Sequence, residues 1–125
     1  TVPSRRFRRF AHAAIDRGIH VIHGHSAHVA QGVERYGNGL VLYGTGNALD
    51  DSWKIPFCPT TASFAFVLEI KDGRPARLRM VPVCLHSASL GLAKGATFDA
   101  MRTRMKALCA ALGTLATDTP DGLEV

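Results

Sequence analysis

A helix signal runs into a strand signal across one glycine near the start of this chain, and that junction limits the fold more than any other feature. Ser4 is a residue type that caps helices, and the spacing predicts a helix from there to about residue 17. Phe7, Phe10, Ala14 and Ile15 recur at i, i+3, i+7 and i+8, which reads as one apolar face. Arg5, Arg6, Arg8, Arg9 and Asp16 lie largely off that stripe. Gly18 suits the left-handed residue that closes a helix. Residues 19–23 follow as a short β-rich run, which Gly24 ends. A helix, a glycine stop and a buried strand in so few residues point to α/β organisation and away from a helical bundle.

The remaining signals fit the same class. Residues 26–31 read as a loop or a short helical turn. Tyr36-Gly37-Asn38-Gly39 is a turn joining residues 33–36 to 40–43 as a hairpin or as adjacent strands. Residues 44–47 are a second tight segment, and residues 50–61, with Pro56 and Pro59, read as a loop. Residues 64–70 and 76–85 are strands around a turn at 71–74, with Pro82 marking an edge or a bulge. Thr97 caps a helix to residue 112, with Phe98, Met101, Met105, Leu108 and Leu112 on one face. Pro120-Asp121-Gly122 turns a small final hairpin. No repeat or low-complexity tract divides the chain, so residues 1–125 are expected to form a single domain.

Composition narrows the function classes. The charged fraction is 20% against 46% hydrophobic, which is globular and argues against global disorder. Four of the cations that make the net charge +5 are Arg5, Arg6, Arg8 and Arg9, so the remaining excess is small and nucleic acid is not an expected partner. The basic, phenylalanine-bearing start of the helix reads as a solvated face over a packed stripe. Cys58, Cys84 and Cys109 are widely spaced and odd in number, which favours reduced thiols, argues against a cysteine zinc site and suggests a cytoplasmic compartment. No apolar run approaches the ~20 residues of a membrane-spanning helix, although an anchor outside this sequence would allow membrane association. The first residue is threonine, which reads as a truncated or processed chain. There is neither a P-loop nor a GxSxG nucleophile motif.

The densest chemical signal is His20-Val21-Ile22-His23-Gly24-His25-Ser26-Ala27-His28, where four of the six histidines fall in nine residues. Imidazole is a common neutral ligand for borderline metals. His25 and His28 follow a predicted strand, at the sheet edge where open α/β sheets bind ligands. His20 and His23 point to opposite faces of an extended strand, so one site cannot readily use both. Asn47, after Gly46, is either a left-handed turn residue or a side chain within reach of the site. Asp50 and Asp51 read as solvated loop charges.

These segments also resemble a known family in order. Gly24-His25-x-x-His28 after a strand resembles the GHxxH element of CapA-like (poly-γ-glutamate capsule-synthesis) proteins, itself related to the GHxH element of calcineurin-like phosphoesterases. Phe10-Ala11-His12-Ala13-Ala14-Ile15-Asp16-Arg17-Gly18 is similar to the helix before that strand. Gln31-Gly32-Val33-Glu34-Arg35-Tyr36 resembles the family's QGIEVY segment, and Leu40-Val41-Leu42-Tyr43-Gly44-Thr45-Gly46-Asn47 its LILYGxGN/D segment. Arg77-Leu78-Arg79-Met80-Val81-Pro82-Val83 is similar to a late strand. The likeness spans roughly residues 8–85 and weakens beyond them.

The resemblance implies the C-terminal portion of a CapA-like domain, an α/β, partial metallophosphoesterase-like sheet sandwich with flanking helices. In that superfamily two metals held by aspartates, histidines and an asparagine activate a hydroxide against a phosphoester. Carried over by motif, His25 and His28 are the implied metal contacts, with His23 and Asn47 behind them, for Mn, Fe or Zn in an incomplete site. The superfamily's early Asp-x-His, Gly-Asp and Asn-His/Glu elements do not occur here and would lie before residue 1, so phosphoester hydrolysis is expected only if missing N-terminal residues complete the site. The implied partners are that N-terminal portion, the capsule-synthesis machinery and a second copy of the chain. Two other readings stand beside this one: a non-catalytic structural or binding remnant, and a mononuclear zinc or nickel binder using His23, His25 and His28.

Overall fold

The computed structural model describes residues 2–25, 28–47, 62–86 and 89–125. The expected loop over 50–61, with Asp50, Asp51 and Cys58, lies outside the described residues, as do Ser26 and Ala27. Helix α1 (Arg5–Ile15) leads into strand β1 (Val21–His23), followed by β2 (Val33–Tyr36) and β3 (Gly39–Leu42). Then come β4 (Ala62–Lys71), β5 (Arg74–His86), β6 (Ser89–Leu92), helix α2 (Gly95–Ala110), β7 (Thr117–Thr119) and β8 (Gly122–Glu124). The architecture is mixed α/β, with two sheets and two helices, as expected of a partial sheet sandwich.

The first sheet has the order β1-β3-β2, with β1 parallel and β2 antiparallel to β3. The second has the order β4-β5-β8-β7, with β6 also paired to β5. Period-two alternation divides β3 between two cores. Leu40 and Leu42 face the main core with Val33, Leu78, Met80, Met105 and Leu123. Val41 and Tyr43 face a smaller core with Ala11, Ile15 and Leu112. The small sheet is thus packed on both faces, by α1 on one side and by the large sheet and α2 on the other. Arg35 ties the sheets together at the rim, its guanidinium donating to the carbonyls of Pro75, Ala76 and Val125.

Local chemistry explains the element ends. Ser4 Oγ accepts the Phe7 N–H at 3.3 Å, the expected cap. Gly18, at φ 95°, ends α1 in a Schellman pair: Ile19 N–H donates to Ala14 O and Gly18 N–H to Ile15 O. The same pair of bonds closes α2 at Gly113. Pro82 is neither an edge residue nor a bulge, because β5 is partnered on both sides. Its carbonyl accepts Ala93 N–H, so its missing N–H falls on the side where β5 changes partner from β8 (at Met80) to β6 (at Val83). Cys109 is fully buried in α2, and its Sγ accepts the Val33 N–H at 3.4 Å.

Three expectations need correction. The α1 stripe is rotated: Phe7 and Phe10 are 54% and 66% exposed, while Ala11 and Ile15 are buried. The inward face is Ala11 and Ile15 flanked by Arg8 and His12, two polar residues that reach a buried carboxylate. Thr97 does not cap the second helix: α2 already begins at Gly95, with Lys94 at the N-cap and no side-chain bond there, so Thr97 lies inside its first turn. Residues 89–92 form β6, which no alternation pattern announces. The hairpins at 71–74 and 120–122 are where the turn residues place them.

Candidate functional site

The chain leaves the small sheet through the histidine loop. His23 ends β1 opposite Leu42 of β3. Gly24 N–H then donates to Leu42 O at 2.7 Å, and a Cβ at Gly24 would collide with the Tyr43 carbonyl, so the backbone can pass there only without a side chain. The loop returns along the strand after β3. Ala30 bridges Thr45, and Gln31 N–H donates to Gly44 O at 2.9 Å. Gly24 and residues 30–31 are therefore held beside residues 42–45 by backbone bonds.

This pairing brings sequence-distant candidates together. His28 Nδ1 lies 3.3 Å from Asn47 Oδ1, across 19 positions of sequence. His23 Nε2 lies 3.4 Å from Thr45 Oγ1. His25, His28 and His23 are all exposed. Asn47 does not take the left-handed turn conformation; Gly46 does, at φ 72°. Below His23, an open cleft of about 390 Å³ runs between the sheets, lined by Val21, Leu42, Thr45, Phe66, Leu68 and Leu78. It is an apolar slot with His23 and Thr45 as its polar lining.

The donor set can be weighed against the implied metals. Imidazole nitrogen beside an amide oxygen suits borderline divalent ions. A two-metal centre, however, needs several ligands per ion and a bridging carboxylate. Among the described residues no group of three or more His, Cys, Asp or Glu side chains is close enough together to hold an ion. The described residues do not by themselves make the centre that the resemblance implies.

A second polar constellation lies behind the loop. Glu34 of β2 is 3% exposed, yet it is charged and fully engaged. Arg8 Nη2 donates to its Oε1 at 2.7 Å, Tyr43 O–H to its Oε2 at 2.5 Å, and His12 Nε2 lies 3.1 Å from Oε2. His12 stacks flat on Tyr36, with ring centroids 3.7 Å apart. Burial works against the Glu34 charge, but the bonds from Tyr43, Arg8 and His12 outweigh it and hold the carboxyl below its ordinary range. Burial and the adjacent carboxylate push the Tyr43 phenol up, and the bond to Glu34 pushes Arg8 up. Tyr43 joins the two constellations, since its ring serves Glu34 and its carbonyl abuts Gly24. Alternation places Glu34 on the α1 side of β2, and Arg8 and His12 are one helical turn apart. No sequence signal says that these three meet.

No described helix is long and apolar enough to cross a membrane. Comparison with known proteins gives the segments a context. Residues 1–52 match the family described as bacterial capsule synthesis protein PGA_cap. A probable polyglutamine synthesis accessory protein of Mycobacterium tuberculosis is 29% identical over 119 residues, covering 91% of this chain and 31% of that protein. The PGA biosynthesis protein CapA of Bacillus subtilis is 30% identical over 88 residues, 70% of this chain and 22% of that protein. The capsule biosynthesis protein CapA of Bacillus anthracis is 32% identical over 88 residues, 70% of this chain and 20% of that protein. The chain thus spans less than a third of the length of these relatives. The ordered segments, the histidine loop they frame and these matches agree: the chain belongs to the CapA-like family of bacterial capsule-synthesis proteins.

Proposed function

We propose that this chain serves poly-γ-glutamate or capsule biosynthesis by contributing one wall of a divalent-metal site. His25 and His28 are the metal contacts, with His23 and Asn47 adjoining, and Mn, Fe or Zn is the ion. The remaining ligands come from residues outside this chain, in the part of a CapA-like protein that it does not span. A bound divalent ion would supply Lewis acidity toward a phosphoester-like oxygen. Asn47 fixes the His28 ring through Nδ1, and Thr45 orients His23. Alone, the chain does not hydrolyse phosphoesters. Its partners are that remaining portion, the capsule-synthesis machinery and a second copy.

The observation that carries this reading is the His28–Asn47 contact at 3.3 Å, which joins two family-like segments at one loop. The test is to express the chain with whatever coding sequence precedes it in frame and to measure bound metal by elemental analysis. A His28→Ala substitution should lower the stoichiometry, and Asn47→Ala should weaken it less. Metal content unchanged in His28→Ala would leave the non-catalytic binding role in its place.

A further inference from the structure

The α1 helix carries a feature that the histidine loop does not explain. Arg5, Arg8, Arg9 and His12 stand at i, i+3, i+4 and i+7, on one flank of the helix. Together they line an open groove of about 480 Å³. The groove has a fixed wall and a free rim. Arg8 and His12 form the wall, held by the buried Glu34 carboxylate, both of whose oxygens are engaged. The Nε–H of Arg8 is nonetheless buried without a hydrogen-bond partner among the described residues, a donor in want of an acceptor. Arg5 and Arg9 form the rim, exposed and one turn apart, and among the described residues no carboxylate pairs with either.

The ligand chemistry follows from what lines the groove. Guanidinium forks match planar oxyanions, carboxylates above all, two bonds at a time. The lining offers no phenyl or indole platform for a stacked base: Phe7 and Phe10 lie toward the other flank, and the imidazole of His12 already has one face taken by Tyr36. Two cations about 6 Å apart along a helix suit successive acidic groups of an extended chain. We infer that this groove is a docking track for a polycarboxylate, an acidic polypeptide such as polyglutamate, gripped by Arg5 and Arg9 against the Arg8–His12 wall. The choice of polypeptide rests on the capsule-biosynthesis reading above; the groove itself does not.

The test is fluorescence anisotropy of labelled polyglutamate with the 125-residue chain at low and high salt. Binding should be salt-sensitive and should fall at least about tenfold in Arg5→Glu/Arg9→Glu. Arg6→Glu/Arg17→Glu makes the same change of net charge outside the groove and should cost less than about threefold. Arg5→Gln/Arg9→Gln keeps good helix formers and should repeat the loss, with circular dichroism confirming the fold. Equal losses in both reversal pairs, no binding, or tighter binding to duplex DNA or anionic vesicles would each overturn the inference. Metal content measured on the same samples separates the two ideas: polyglutamate binding with no His28-dependent metal would sink the metal reading and leave the groove standing.

Discussion

Glu34 is the residue on which the small sheet turns. A carboxylate this deeply buried is tolerated only because Arg8, His12 and Tyr43 converge on it. Its folded-state pKa is depressed, so the stability it contributes is complete above the ordinary glutamate value of about 4.3. That stability drains away as pH falls through the lower folded value. Glu34→Gln should therefore cost roughly 1–3 kcal/mol at neutral pH and flatten the acid limb of a melting-temperature profile. Tyr43→Phe should cost about 1.5–3 kcal/mol, the range for a hydrogen bond to a charged group. An unchanged acid limb in Glu34→Gln would show that the carboxylate is not held ionised. None of this is legible in the sequence, where Glu34 stands in a family-like segment among ordinary strand residues. What the sequence does announce is the dense run of histidines, and His28 does meet the separately chosen Asn47.

At the level of elements, α1 shows where periodicity misleads. Phenylalanine outweighs alanine in any apolar pattern, so the pattern selects Phe7 and Phe10, while the packed face is Ala11 and Ile15 between two polar residues. Hydrophobicity alone cannot see that Arg8 and His12 have a buried partner on another element. Phe10→Ala should thus change stability by no more than about 0.5 kcal/mol. Ile15→Ala should cost about 2–5 kcal/mol, and chemical denaturation of the pair decides between the two faces. The Ser4 cap of α1, its glycine stop and the hairpin turns were readable because each depends on chemistry within a few residues, whereas the start of α2 was misplaced: Lys94, with no side-chain bond to the helix, holds the cap position in place of Thr97. The β5–β8 pairing, the partner change at Pro82 and strand β6 were not readable, because they rest on contacts between distant positions. Gly24→Ala tests the histidine loop at this scale. The added methyl must displace the Tyr43 carbonyl, so both thermal stability and any metal uptake should fall together.

The whole molecule leaves much apolar surface uncovered. Phe7 and Phe10 on α1, Val67 and Ile70 on β4, and Leu90 and Leu92 on β6 are each close to half exposed or more. Among the described residues, β1 is paired on its β3 side only, which leaves an open strand edge. Isolated, the chain should self-associate, with an apparent size in gel filtration that grows with concentration. A monomer at all concentrations, melting in one sharp transition, would contradict this. α/β organisation was legible from the helix–glycine–strand junction, but the division into two sheets was not, since strand order is set by packing rather than by local pattern.

The buried thiol of Cys109 offers a practical consequence. Burial raises its pKa, and its sulfur sits under α2 against the Val33 amide, so the reactive thiolate is suppressed in the folded chain. With Cys58 and Cys84 changed to serine, alkylation of this one sulfur would proceed only when α2 lifts from β2. The labelling rate would then count the openings of the interior, and would time how an added partner keeps it shut.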